Sequence, residues 1–114
     1  MLFILQCLDR AGSQALRSRA RVPHLEFVAT HADVFRFGGP LIGDDGCVLG
    51  SLMILELPDH AALARHMAAD PFFGAGLFQV VNVWQSQQVV PEAAPGALAR
   101  AIASARSHAA ERAA

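Results

Sequence analysis

Gly43-Asp44-Asp45-Gly46-Cys47-Val48-Leu49-Gly50-Ser51-Leu52-Met53-Ile54-Leu55-Glu56-Leu57-Pro58-Asp59 holds a turn, a strand and a helix start in one run. Gly-Asp-Asp-Gly is a strong turn signal. Cys47 to Leu57 follows, apolar at nearly every position except Ser51 and Glu56. Such a run reads as a strand buried on both faces. Pro58-Asp59 then opens a helix, with the Asp59 carboxylate placed to accept from the first free amides. Leu63 and Met67 give that helix its core side, and Pro71 forces Asp70 out of the helical region, so the helix stops there.

Upstream, Val34-Phe35-Arg36-Phe37 reads as the second strand, ended or bent by Gly38-Gly39-Pro40. A helix is expected from about Val22, with Pro23 in its first turn, where the missing N–H costs nothing. Its apolar stripe would be Leu25, Val28, Ala29 and Ala32, and a short helical turn at residues 14–18 would precede it. Residues 2–8 read as a first strand buried on both faces, and residues 77–84 as a fourth strand ending near Trp84. The order β-α-β-β-α-β is the ferredoxin-like arrangement of the α+β class, with both helices on one face of a single sheet. Strands one and three are apolar on both faces, so the second face also needs a cover. Nothing else in the chain supplies one, and a homodimer packed sheet to sheet is the economical expectation.

Residues 1–90 form the expected domain. Residues 91–114 differ in character: Pro91 and Pro95-Gly96 punctuate them, and residues 97–112 are rich in Ala with scattered Arg. Ala favours helix, and Leu98 and Ile102 are its only large apolar residues, so a peripheral helix is expected.

The chain has 114 residues, 54% of them hydrophobic and 17% charged, and a formal net charge of -1. All nine Lys+Arg positions are Arg, and Tyr is absent. This balance offers no electrostatic footprint for nucleic acid or an anionic membrane. No apolar run approaches the length of a membrane span. Met1-Leu2-Phe3-Ile4-Leu5 lacks the basic flank and small-residue cleavage site of a signal peptide. Cys7 and Cys47 match no metal or redox spacing, and two isolated thiols fit a reducing compartment, the cytoplasm by default.

The candidate chemistry centres on His24, in Arg21-Val22-Pro23-His24, and Asp70, in Asp70-Pro71-Phe72. A carboxylate that fixes an imidazole's tautomer and stabilises its cation makes a general acid/base pair. From spacing alone, His24 is equally a surface residue at a helix start and Asp70 a helix-end residue. Arg21 is one helical turn from His24 and could hold a substrate carboxylate, or else pair with an acid such as Glu26 or Asp70. Ser51 could bond a ligand, or serve as a small residue beside Gly50 that permits close packing. Phe72, with Phe73 and Phe78, could wall an apolar pocket or fill the core. Gly38-Gly39-Pro40 lacks the dinucleotide-binding pattern. His24 and His31 share a helix face but stand about 10 Å apart. His66 and Asp70 have a usable i, i+4 ligand spacing, yet a third ligand would have to come from His24, so no metal site is assigned.

Taken together and in order, Met1-Leu2-Phe3-Ile4, Arg21-x-x-His24-Leu25, Gly39-Pro40-Leu41, Gly50-Ser51, Asp70-Pro71-Phe72, and Ala75-Gly76-Leu77-Phe78 before Val81-x-Val83 resemble the YCII-related (YciI-like) family of the dimeric α/β-barrel superfamily. The resemblance covers residues 1–90. It implies a ferredoxin-like protomer, a homodimer and a small-molecule pocket in which His24 and Asp70 form a catalytic dyad. Some members resemble dehydrohalogenases or isomerases, so it implies isomerisation or elimination without an organic cofactor. A non-catalytic binding or scaffold protein is the other class of function that fits. The chain departs from some relatives in having Phe3 where they carry Tyr, so no phenolic acid or base can operate.

Overall fold

The computed structural model describes residues 1–113. Strands β1 (Leu2–Asp9), β2 (Phe35–Ile42), β3 (Val48–Glu56) and β4 (Phe78–Ser86) alternate with helices α1 (Gln14–Thr30) and α2 (His60–Ala69). A short helix α3 (Pro71–Gly74) follows α2, and α4 (Ala97–Ala113) ends the described chain. The strands form one antiparallel sheet in the order β2-β3-β1-β4. This is the expected βαββαβ arrangement of the ferredoxin-like α+β class.

The core lies between the sheet and the helices. Phe3, Leu5 and Cys7 of β1 and Met53 and Leu55 of β3 point inward, and Ala20, Leu63, Phe72, Leu77 and Phe78 pack against them. Each large apolar side chain so buried contributes roughly 1.5–3 kcal/mol. The centre of the sheet is tight at Gly50, which pairs with Leu8. A Cβ there would overlap the backbone carbonyl oxygen of Cys7, so only glycine fits.

The strand pattern holds on the inner face and differs on the outer one. Ile4 lies between Ile54 and Trp84, and Leu8 lies opposite Val80. Ile4 and Ile54 are half-buried, whereas Trp84, Phe37, Leu8 and Val80 are exposed. Among the described residues this face is uncovered, apart from residues 87–91 beside Leu2, Ile4 and Ile54, and it carries the polar Gln6 and Asn82 among its apolar side chains.

Three local expectations are corrected. Helix α1 is continuous from Gln14, and Pro23 sits in its interior rather than its first turn. Its inward face also differs from the expected stripe of Leu25, Val28, Ala29 and Ala32. That face is Leu16, Ala20, His24 and Phe27, while Leu25 and Ala29 are exposed. Strand β2 runs through Gly38-Gly39-Pro40 to Ile42 instead of ending at Phe37. It is an edge strand, where a residue without an N–H is tolerated.

The second helix starts as expected, with the Asp59 carboxylate accepting from the Ala62 amide at 2.8 Å. Helix α4 buries none of its residues, and Leu98 and Ile102 are exposed on it. No helix among the described residues is long and apolar enough to cross a membrane.

Candidate active site

Asp70 closes α2 and opens α3. Pro71 holds it in extended backbone, φ -72° and ψ 122°, and its Oδ1 accepts from the Phe72 amide at 2.9 Å. The same oxygen accepts from His24 Nδ1 at 2.7 Å. Oδ1 already accepts from the Phe72 amide and serves His24 as an acceptor too, so Nδ1 carries the proton and Nε2 is left as the free nitrogen. Asp70 is fully buried and its Oδ2 has no partner. The Phe72 ring stacks on the imidazole, with centroids 3.8 Å apart and planes 11° from parallel. The imidazole is thus fixed by a hydrogen bond at one edge and a ring against one face.

His24 faces a cavity of about 420 Å³ between α1 and the β2–β3 half of the sheet. Arg21, Ser51 and Phe72 line the same cavity, and Asp70 stands behind His24 without lining it. They differ in how firmly they are held. Ser51 is buried and Arg21 is exposed at the rim. Val28, Phe35, Val48 and Met53 supply apolar walls.

Arg17 is the residue the sequence reading missed. Its guanidinium donates to the Gly50 carbonyl at 2.9 Å and to Ser51 Oγ at 2.7 and 3.3 Å. Its central carbon lies 4.8 Å from the Phe72 ring centroid. Asp9 Oδ2 is 3.6 Å from it, and Asp9 Oδ1 is buried with no partner. Burial raises the Asp9 carboxyl above its ordinary range, and the Arg17 charge opposes that shift only in part. The signal was present in the spacing. Arg17, Arg21 and His24 recur at i, i+4 and i+7, one face of a continuous helix. Treating residues 14–18 as a separate turn concealed it.

His66 lies behind the dyad, among the rings of Phe27, His31 and Phe35. Its Nε2 is buried without a partner, and desolvation lowers its pKa, opposed by Asp70. Among the described residues, no three His, Cys, Asp or Glu side chains converge as a metal site.

A family model for the YCII-related domain matches residues 1–87. The chain belongs to the YCII-related family. This YCII-related chain is also similar to a solved structure, the 5-chloro-2-hydroxyhydroquinone dehydrochlorinase TftG from Burkholderia phenoliruptrix AC1100 in complex with 2,5-dihydroxybenzoquinone. Identity is 30% with a TM-score of 0.72, over 77% of this chain and 95% of that one. Rv0793 from Mycobacterium tuberculosis matches at 17% identity and a TM-score of 0.51, over 78% of this chain and 96% of that one, which shows the fold alone. No curated protein matches the chain. The YCII-related match ends before α4, so the last helix lies outside the family domain.

Proposed function

We propose that this protein is a small lyase-type enzyme in which His24 and Asp70 perform general acid/base elimination or isomerisation on a small molecule. The observation that carries the reading is the 2.7 Å bond from His24 Nδ1 to a fully buried carboxylate, with the imidazole lining an apolar-walled cavity. Nε2 of the neutral imidazole takes a proton from a substrate carbon or hydroxyl. The electron pair of the broken bond forms a new π bond. In elimination a leaving group such as chloride departs with its own pair. In isomerisation the imidazolium returns the proton to a different atom. Asp70 holds the tautomer and stabilises the imidazolium throughout. The likeness to a dehydrochlorinase supports the elimination branch. Arg21, Ser51 and Phe72 are proposed to contact the substrate, and the chain's own residues need no organic cofactor for this chemistry.

The protein is further proposed to be a homodimer, its outer sheet face covered by that of a second copy. Ile4, Ile54, Trp84 and Phe37 form one apolar surface there, too large to leave wet without consequence. Two unpaired thiols support a reducing compartment, the cytoplasm.

The test is chloride release from 5-chloro-2-hydroxyhydroquinone and related halogenated hydroxyquinols. His24→Gln and Asp70→Asn are expected to lose about 10²–10⁴-fold in kcat/KM while still binding product-like quinones. Unchanged turnover in His24→Gln refutes the acid/base role. Binding without turnover of any substrate in the wild type returns the protein to the class of non-catalytic binding modules. Sedimentation of a stable monomer refutes the dimer.

A further inference from the structure

The charged groups around the cavity are sorted by sign. Arg17 and Arg21 line it, and no carboxylate does. Both nearby acids stand behind the lining: Asp70 bonds the far edge of His24, and Asp9 lies on the far side of Arg17, in the lining of a neighbouring cavity. A site walled by apolar side chains and open only to cationic groups selects for negative charge.

Arg17 is built for that task where Arg21 is not. Its side chain is 15% exposed, and it is anchored by Gly50 and Ser51 on the most tightly packed stretch of β3. Those three hydrogen bonds use Nη1 once and Nη2 twice, Nη1 also faces Asp9, and the Nε–H remains without an acceptor. Its charge is incompletely compensated. The Asp9 oxygen nearest to it is 3.6 Å away, beyond hydrogen-bond range, and the other Asp9 oxygen faces no donor. Phe72 ties Arg17 to the dyad, because one ring stacks on His24 and also lies beside the guanidinium.

We infer that Arg17 is the anchoring residue for the substrate: its charge and its free Nε–H bind an anionic oxygen of a small planar molecule, an enolate, phenolate or carboxylate, and hold it beside His24. This rests on the acid/base reading of the site and adds the charge and shape of the molecule it takes. The Gly50 carbonyl and Ser51 hydroxyl orient the guanidinium, and Asp9 pairs with it at 3.6 Å from the side of the neighbouring cavity, without a hydrogen bond. A planar guanidinium fixed in this way gives direction as well as attraction, which an ammonium cannot.

The experiment compares two probes by isothermal titration calorimetry on the full chain. 2,5-Dihydroxybenzoquinone is a vinylogous acid and anionic at neutral pH, and 2,5-dimethoxybenzoquinone is a neutral molecule of similar outline. Wild type is expected to favour the anion at least tenfold. Arg17→Gln brings that ratio to within about threefold of unity while retaining affinity for the neutral probe, whereas Arg19→Gln, at an exposed arginine outside the cavity, leaves the preference in place. Asp9→Asn strengthens the anion preference. A preference in Arg17→Gln equal to that of wild type overturns the inference. Should Arg17→Gln fail to fold, Arg17→Lys decides: a ratio reduced at least threefold supports the directional anchor, and an unchanged ratio overturns it. Binding requires no proton transfer, so turnover by the His24 variants reads the acid/base proposal separately from this one.

Discussion

Gly50→Ala is the most demanding test of the packing that supports the site. A Cβ at this position overlaps the Cys7 carbonyl oxygen and lies 2.9 Å from its carbon and 3.0 Å from Leu8 Cα. All three are backbone atoms of β1, so no rotamer change relieves the overlap. The two central strands must part by roughly an ångström to restore ordinary contact, on a strand spacing of about 4.8 Å. Two neighbouring ladder bonds are then lost at about 1 kcal/mol each, and the charge-assisted bond from Arg17 to the Gly50 carbonyl at about 1.5–3 kcal/mol. The expected cost is about 4 kcal/mol, a large share of the ~5–15 kcal/mol typical of a domain. In a protein of this size that lowers Tm by about 15 °C or more. Urea and thermal unfolding of the variant measure it. Gly74→Ala is the control, since its Cβ meets nothing within 4 Å, and it should stay within about 0.5 kcal/mol of wild type. A Gly50→Ala protein within about 1 kcal/mol of wild type refutes the claim that β1 and β3 meet as described.

Asp70→Ala leaves the Phe72 amide and His24 Nδ1 buried without an acceptor, and urea unfolding should show a loss of about 3–5 kcal/mol. Asp70→Asn keeps an acceptor for the Phe72 amide and should lose less stability but most of the activity. Cys7 is buried and its thiol is pushed up to about 12, first by desolvation and then by Asp70. A thiol reagent should therefore modify Cys47 alone in the native protein, and Cys47→Ser should react only once unfolded. Burial holds the His66 pKa below its ordinary 6.5, so the unfolded chain binds more protons as pH falls through that value. Stability should accordingly drop on acidification from about pH 7 toward pH 5, and His66→Leu should flatten that slope in a pH series of denaturation curves.

The parts of the fold that were legible in the sequence are those with an unambiguous local cause. Asp59 caps α2 because a carboxylate beside free amides has one good use. Asp70 ends α2 because the following proline leaves it no alternative. The start of α1 was not legible, because Pro23 is usually a first-turn residue and here sits mid-helix, held by tertiary packing of Ala20 and His24. The late start hid Arg17, and the apolar stripe at Leu25 and Ala29 pointed to the wrong face because a buried histidine, His24, occupies the inward one. The passage of β2 through Gly-Gly-Pro was hidden for a similar reason: residues that punctuate most chains are tolerated on an edge strand paired on one side only. The dyad was readable as residue types, whereas its 2.7 Å contact depends on how α1 crosses the end of α2, which no local pattern encodes.

One oxygen, Asp70 Oδ1, receives both the His24 ring and the Phe72 amide, and the Phe72 side chain in turn supports the His24 ring. Base, acid and stacking partner therefore form a closed loop three residues around. Rotating the carboxylate to suit a new substrate would uncap α3, move Phe72 and release the imidazole together. On the proposed acid/base reading, divergence of specificity proceeds at the cavity walls, through exchanges at Val28, Phe35, Val48 and Met53, while the histidine–carboxylate pair stays as it is. On that reading, substrate range can drift by single substitutions while the three linked residues cannot.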